Sequence, residues 1–309
     1  MRPFLSLLIG ICLIIGIFSA LKTPFQPLAL TVEVEPAPHL SLGVIPYLRM
    51  DDLQNEMNPV IKYLSKKLHR PTKLNVSADY GNLARLLDDR QVHLAWFSHA
   101  SLQQLGIGKS WEVLCRPFQK GNVTYFGKII ARANSNIETI EDLKGKIFAY
   151  VDKNSGSGFY FPNMLFKSKG IDPLKLFSKV VFTHSHDVSI DGVLDGKYDG
   201  AAVFSLQLNA RYDEIIKNIK FIATTGPIPN DPIVCRSDLP RELKAQILDA
   251  LLKMHEDPDG MEEMAKLTKL RGTTRFAGEK EVETVLKHES LNASPSVDLN
   301  PTRPPITSE

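Results

Sequence analysis

The sequence predicts an α/β protein whose strands form two mostly parallel sheets flanked by helices. Short apolar runs alternate with segments whose apolar residues recur every three or four positions, which are the patterns of strands and helices in turn. Strands that alternate with helices favour parallel sheets. A chain of 309 residues has room for one or two domains, and its predicted strands are too many for a single sheet.

The elements follow one another from residue 40 onwards. The predicted strands are residues 40–45, 74–78, 92–96, 111–115, 128–132, 146–151, 180–183, 200–203 and 221–224. Helices are predicted at 51–68, 80–88 and 158–168, with a short capping-box helix from Thr139 and another helix opened by Pro240. In the first helix Leu53, Met57 and Leu64 share one face, and Pro59 is expected to kink or restart it.

The two ends of the chain differ from this regular pattern. Arg2 precedes an uncharged apolar run at 4–21, which predicts a signal peptide or an uncleaved N-terminal membrane anchor. Residues 22–40 are interrupted by prolines and are expected to be a linker. Residues 292–309 are polar and proline-rich, which predicts a disordered tail. We therefore expect an exported, periplasmic protein, in which residues 4–21 are either removed or retained as a tether to the inner membrane.

Composition excludes several classes of protein. The apolar fraction of 43% and charged fraction of 23% are typical of a globular protein, and a formal net charge of +2 gives no support to a nucleic-acid partner. No metal-binding motif occurs, so neither a metal nor a cofactor is expected. Cys115 and Cys235 lie in apolar, strand-like segments, which favours buried thiols over a disulfide.

Several predicted strand ends carry groups that suit an anion. In the segment YVDKNSGSG (150–158), Ser155 and Ser157 stand beside glycines and free helix-start amides. His186 follows another strand in THSHD (183–187), and Ser98 with His99 follows a third. Tyr47 and Tyr125 adjoin two further strands. Each of these could equally be a helix cap or a packing residue, but ligands of such sheets bind at strand ends, so we expect an anion site there.

The same motifs resemble the periplasmic substrate-binding proteins of phosphonate, phosphite and phosphate ABC importers. The resemblance runs from about residue 42 to residue 267. The matching motifs are GVIPY (43–47), ADY (78–80), VHLAW (92–96), DLKGK (142–146), SGSGF (155–159), VFTHSHD (181–187) and IPNDP (228–232). This resemblance implies a two-lobed periplasmic binding protein fold of type II, with a hinge of crossing strands near 125–130 and 224–235.

The resemblance also implies a ligand site. In the family, tyrosines, a Ser/Thr turn and a histidine hold the phosphorus oxygens, which here implicates Tyr47, Tyr125, Ser155, Ser157 and His186. The Gly156 amide is an expected donor, although Gly156 stands where the family usually has Thr. Ser98 and His99 replace a usual Gly-Pro, with His99 an extra donor or a rim residue, and Asp231 in the return crossing is a further candidate. Leu206 replaces an acid of some aminophosphonate binders, which favours a smaller anion.

The expected function is capture of a small phosphorus oxyanion by a monomer that closes its lobes and docks on a membrane permease. Lobe one is predicted at 41–125 and 226–291, and lobe two at 126–225. A membrane-anchored sensory module of the same fold is the alternative. An enzyme is not expected, because no nucleophile with a matched base and acid partner is evident.

Overall fold

Residues 39–106, 109–205 and 212–292 are described by a computed structural model, in which two β-sheets flanked by helices confirm the predicted fold class. The strands are β1 (Leu40–Val44), β2 (Thr72–Val76), β3 (Leu94–Trp96), β4 (Trp111–Gln119), β5 (Thr124–Arg132), β6 (Ile147–Tyr150), β7 (Lys179–Phe182), β8 (Gly200–Val203), β9 (Ile219–Pro229), β10 (Ile233–Arg236) and β11 (Thr273–Gly278). The first sheet has the order β11-β4-β10-β3-β1-β2, and the second has the order β7-β6-β8-β5-β9. Each sheet with its helices is called a lobe below, lobe one containing β1.

Helices occupy most of the connections. They are α1 (Met50–Lys67), α2 (Tyr80–Asp88), α3 (His99–Leu105), α4 (Phe161–Ser168), α5 (Pro173–Leu176), α6 (His186–Leu194), α7 (Asp213–Ile216), α8 (Arg241–Lys253), α9 (Pro258–Arg271) and α10 (Glu279–Asn292). A 3₁₀ turn at Glu141–Leu143 and a π-helical turn at Gly156–Tyr160 complete the set. In these ranges no helix is both long enough and apolar enough to cross a membrane. The predicted signal or anchor segment, linker and tail lie outside them, except for the edges of the linker and tail at 39–40 and 292.

The sheets are mixed, which corrects the expectation of mostly parallel ones. Four strand pairings of the described residues are parallel, β1 with β2 and β3, and β6 with β7 and β8. The other five are antiparallel. Two strands that are joined by a helical crossover run in the same direction, so the alternation of strands and helices predicts parallel pairing only for strands joined in this way. Strands β5, β9 and β10 instead belong to segments that cross between the lobes.

The crossing strands β5 and β9 pair from Thr124 opposite Pro229 to Arg132 opposite Ile219. The predicted lobe boundaries at 125/126 and 225/226 fall inside these two strands. The buried Asn230 follows β9, and its side-chain amide donates to the carbonyls of residues 117 and 122, both at 2.8 Å. These bonds fix the segment between β9 and β10, in which the chain returns from lobe two to lobe one. They therefore also fix the position of the next residue, Asp231.

Local sequence explains most of the elements but not all. Helix α1 buries Leu53, Met57 and Leu64 as predicted, and it continues through Pro59. The short helix predicted from Thr139 is a single 3₁₀ turn at Glu141–Leu143. The expected capping contact is present, because Asp142 accepts bonds from the backbone of residues 138 and 139 and from the Thr139 hydroxyl. Strand β11 and helices α9 and α10 were not predicted. Helix α9 is important for function, because its last residue, Arg271, lines the pocket between the lobes.

The two cysteines are buried in the core of lobe one and are not bonded to each other, which confirms the prediction of free thiols. Burial raises the pKa of Cys235 to about 12 and raises that of Cys115 as well. Both thiols therefore stay protonated and pack as small apolar groups.

Candidate functional site

A pocket lies between the two lobes at the ends of their strands. Its lining contains eight of the nine predicted site residues, and these are Tyr47, Ser98, Tyr125, Ser155, Gly156, Ser157, His186 and Asp231. Further lining residues that the sequence did not single out include Glu56, Tyr80, Trp96, Gln119, Phe204 and Arg271. Leu206 lies outside the described residues. The pocket therefore joins the predicted polar turns of lobe two to a charged and aromatic wall of lobe one.

The serine turn follows β6 and belongs to lobe two. The Ser155 hydroxyl caps the π-helical turn by accepting a bond from the Gly158 amide at 3.0 Å, which leaves its own proton free to be donated. A Cβ atom on Gly158 would lie 2.6 Å from the Val151 Cβ, so the turn requires glycine there. Ser155, Gly156 and Ser157 are all buried. The turn therefore holds two hydroxyls and a first-turn amide at the pocket.

His186 begins α6 and presents a neutral ring to the pocket. Its Nδ1 accepts a bond from the Phe204 amide at 3.3 Å, which places the ring proton on Nε2. Burial lowers the pKa of His186 to about 4, and the neighbouring Asp187 opposes this only in part. His186 is therefore an uncharged Nε2–H donor at neutral pH.

Tyr47 is engaged by a charged pair that the sequence reasoning missed. Its hydroxyl donates to Glu56 Oε1 at 2.8 Å, and Arg271 Nη1 donates to the same hydroxyl and, at 2.7 Å, to the same carboxylate oxygen. The Arg271 guanidinium also lies 4.3 Å from the centroid of the Trp96 ring. Burial raises the pKa of Tyr47 well above 10, so the phenol keeps its proton. That proton is directed at Glu56.

Asp231 contributes a second carboxylate to the wall of lobe one. Its Oδ1 accepts bonds from the His99 amide at 3.2 Å and from the Tyr125 hydroxyl at 3.4 Å. Burial raises the pKa of Asp231 to about 6, although Arg271 lowers it. Burial also raises the pKa of Tyr125, Asp231 raises it further, and a hydrogen bond with Ser157 lowers it.

His99 is not among the lining residues, contrary to expectation. Its ring lies against Arg116, whose Nη1 is 3.3 Å from His99 Nδ1 and whose other nitrogens form two bonds to Glu279. Burial and then Arg116 lower the pKa of His99 to about 3. The neutral ring of His99 therefore accepts from a buried guanidinium and does not donate into the pocket. Its contribution to the site is the backbone amide that donates to Asp231.

The lobes contact each other on both sides of the pocket. On one side the His186 amide donates to the Tyr47 carbonyl at 3.0 Å, and the Arg49 amide donates to Asp187 Oδ2 at 2.8 Å. On the other side the Ser98 hydroxyl donates to the Asn154 carbonyl at 2.8 Å. Hydrogen bonds therefore join the lobes on both sides of the pocket, as in a closed form, and the Ser98 hydroxyl lies between the Asn154 carbonyl and the Ser101 hydroxyl.

A family model described as "ABC transporter, phosphonate, periplasmic substrate-binding protein" matches residues 42–279. The chain belongs to this family. The "Phosphonates-binding periplasmic protein" of Escherichia coli (strain K12) is 25% identical over 254 residues, which are 80% of this chain and 74% of that protein. The family is one of periplasmic transport components, which supports transport over the sensory alternative.

Two solved structures share the fold of this binding protein. A binding component of an ABC phosphonate transporter from Pseudomonas aeruginosa superposes with a TM-score of 0.71 at 21% identity, over 85% of this chain and 91% of that one. PhnD1 from Prochlorococcus marinus (MIT 9301), in complex with methylphosphonate, gives a TM-score of 0.69 at 21% identity, over 84% and 99%. These likenesses confirm the two-lobed fold.

The donor set determines what chemistry this family member can perform. Lobe two supplies uncharged donors, namely hydroxyls, an amide and an imidazole N–H, which suit the oxygens of an anion. In the described ranges no three His, Cys, Asp or Glu side chains are grouped so that they could hold a metal ion. The lobe-two side of the pocket thus presents uncharged hydrogen-bond donors.

Proposed function

We propose that this protein captures a small phosphorus oxyanion (a phosphonate, phosphite or phosphate) between its lobes and delivers it to an ABC importer. The observation that carries the proposal is the convergence of neutral donors in one pocket. Ser155, Gly156 and Ser157 line the pocket together with His186, whose proton lies on Nε2. Membership of the phosphonate-binding family supports the same ligand class.

The donors of lobe two are sufficient for useful affinity. Binding at micromolar concentration corresponds to about 8 kcal/mol. A hydrogen bond to a charged group contributes about 1.5–3 kcal/mol. Four to six such bonds reach this value after the costs of association, so no ionised donor has to contact the ligand. Neutral donors also allow release, which transport requires.

Ligand capture is coupled to closure in this proposal. The Tyr47 carbonyl and the Arg49 amide of lobe one bond to the start of α6, and His186 of that helix lines the pocket. An anion held by His186 therefore stabilises the same arrangement that joins the lobes. The closed form is the one that would dock on the permease.

Calorimetric titration of the full mature chain tests the ligand class. The ligands are phosphite, phosphate, methylphosphonate and 2-aminoethylphosphonate. Ser155→Ala and His186→Ala should each weaken binding tenfold or more, since about 1.4 kcal/mol corresponds to a factor of ten. Ser168→Ala and His288→Ala, which change exposed residues of the same types, are the matched controls. Unchanged affinity in both pocket variants would contradict the proposed site.

The location and partners follow from the same proposal. We expect export to the periplasm, function as a monomer, docking on a membrane permease, and binding without chemical conversion of the ligand. Residues 4–21 lie outside the described ranges and are either removed on export or retained as a tether. Mass spectrometry of the mature N-terminus distinguishes these two cases.

A further inference from the structure

Glu56 accepts hydrogen bonds from two donors on the lobe-one wall of the pocket. Arg271 is the one arginine or lysine among the described residues that line the pocket, and its Nη1 donates to Glu56 Oε1 at 2.7 Å. The Tyr47 hydroxyl donates to the same oxygen at 2.8 Å. The side chains of Glu56 and Arg271 are only 5% and 12% exposed. A ligand that enters this pocket therefore meets a Tyr47 hydroxyl and an Arg271 Nη1 that already have an acceptor, whereas Arg271 Nε is buried without a hydrogen-bond partner.

The charges of the pocket do not favour a doubly charged anion. The ionisable lining residues are Glu56, Asp231, Arg271, His186, Tyr47, Tyr80 and Tyr125. Glu56 cancels the charge of Arg271, and Asp231 adds a carboxylate. The histidine and the tyrosines are uncharged at neutral pH, because burial lowers the pKa of His186 and raises the pKa of each tyrosine. The wall thus offers no net positive charge to balance a dianion.

A role in stability alone does not explain the Glu56–Arg271 pair. Desolvation offsets most of the attraction within a buried ion pair, so packed apolar side chains would hold α1 against α9 about as well. The neighbouring inward residues of α1, Leu53 and Met57, are of that apolar kind. The pair instead lies where the helices face the pocket.

We propose that Glu56 is a specificity-determining residue, which makes the pocket prefer a singly charged phosphorus oxyanion over the doubly charged form. It does so by neutralising Arg271 and by accepting the proton of the Tyr47 hydroxyl. This inference rests on the proposed function, because it concerns the ligand of the same pocket. Without the Glu56 charge, Arg271 would attract a dianion and the preference would reverse or disappear.

Two probes of similar shape separate charge from fit. Methylphosphonate changes from a monoanion to a dianion at its second ionisation, whereas methanesulfonate remains a monoanion. Both are titrated into the wild-type chain and Glu56→Gln at one pH below and one pH above that ionisation. For the wild type, the dissociation constant of methylphosphonate divided by that of methanesulfonate should be at least tenfold higher above the ionisation than below it. A tenfold change corresponds to about 1.4 kcal/mol of binding free energy. Glu56→Gln should bind the dianion at least tenfold more tightly than the wild type does.

A double variant controls for the buried charge that Glu56→Gln leaves unpaired. Glu56→Gln/Arg271→Gln has the same net charge as the wild type, so it should keep the wild-type preference, and thermal unfolding checks that each variant folds. An unchanged preference in Glu56→Gln would overturn the proposal. If that variant does not fold, a double variant that binds the dianion as well as the monoanion would overturn it. A wild type that binds no phosphorus anion would instead contradict the proposed function.

Discussion

Asp187 joins the lobes through a buried, charge-assisted hydrogen bond. Its Oδ2 accepts from the Arg49 amide across the pocket at 2.8 Å, and its Oδ1 accepts from the Tyr212 hydroxyl at 2.7 Å within lobe two. A hydrogen bond to a charged group contributes about 1.5–3 kcal/mol. Asp187→Asn keeps one carbonyl oxygen for Tyr212 but places an N–H₂ group against the Arg49 amide. If closure is part of binding, as proposed, affinity should fall about ten- to hundredfold.

Asp191 provides the matched comparison on the same helix. It pairs with the Arg49 guanidinium at 2.9 Å, but the two side chains are 47% and 53% exposed. Exposed ion pairs contribute about 0.2–1 kcal/mol, which salt reduces further. Asp191→Asn should therefore weaken binding at most about fivefold, and the loss should shrink at high salt.

Calorimetric titration with methylphosphonate at low and high salt measures both variants, and urea unfolding confirms that each remains folded. Equal losses for Asp187→Asn and Asp191→Asn would refute the reasoning, because burial would then not determine the strength of the contact. An unchanged affinity for Asp187→Asn would show that the contact between Arg49 and α6 does not contribute to closure.

Three further predictions concern stability. The pKa of Asp231 is about 6 in the folded protein, above the value of about 4 in the unfolded chain. The stabilisation that comes from its bound proton is therefore lost as pH rises from about 4 to about 6. Asp231→Asn should remove this loss and flatten the profile of urea-derived stability against pH in that window. Gly158→Ala should lower the melting temperature because its Cβ would meet the Val151 Cβ at 2.6 Å, whereas Gly156→Ala, with its nearest neighbour at 3.5 Å, should leave it nearly unchanged. Leu53→Ala in the fully buried core should cost about 2–5 kcal/mol in denaturant unfolding, and a smaller loss would indicate that the site collapses.

The lobe-two half of the site could be predicted because its signals are local. The serine turn directly follows a strand, and the hydroxyl of Ser155 caps the helical turn that begins beside it. His186 is likewise the first residue of α6, directly after the turn that ends β7. A strand end that is followed by small hydroxyl residues and a helix start can be recognised within about ten residues of sequence. The two turns could therefore be placed at one sheet edge, and both line the pocket.

The lobe-one half was not predicted because its contacts are distant in sequence. Glu56 and Arg271 are separated by 215 positions, and only the packing of α1 against α9 brings them together. One signal was present, since Glu56 lies on the inward face of α1 between Leu53 and Met57. A carboxylate on a buried face requires a partner. The sequence did not identify which cation that partner is, because α9 was not predicted.

The same distinction explains why Tyr47 and Ser98 line the pocket without offering it a free proton. A hydroxyl or imidazole can be assigned to a site from its position in a turn, but the direction of its proton depends on the nearest acceptor. For Tyr47 that acceptor is the Glu56 carboxylate, and for Ser98 the Asn154 carbonyl and the Ser101 hydroxyl are both within reach, so both protons are used within the protein. In the proposed function, affinity for an oxyanion would then depend on the serine turn and His186, whereas its charge preference would depend on positions 56 and 271. If the proposal is correct, substitutions at those two positions would change which ionic form is bound while the serine turn that is proposed to hold the phosphorus oxygens stays the same.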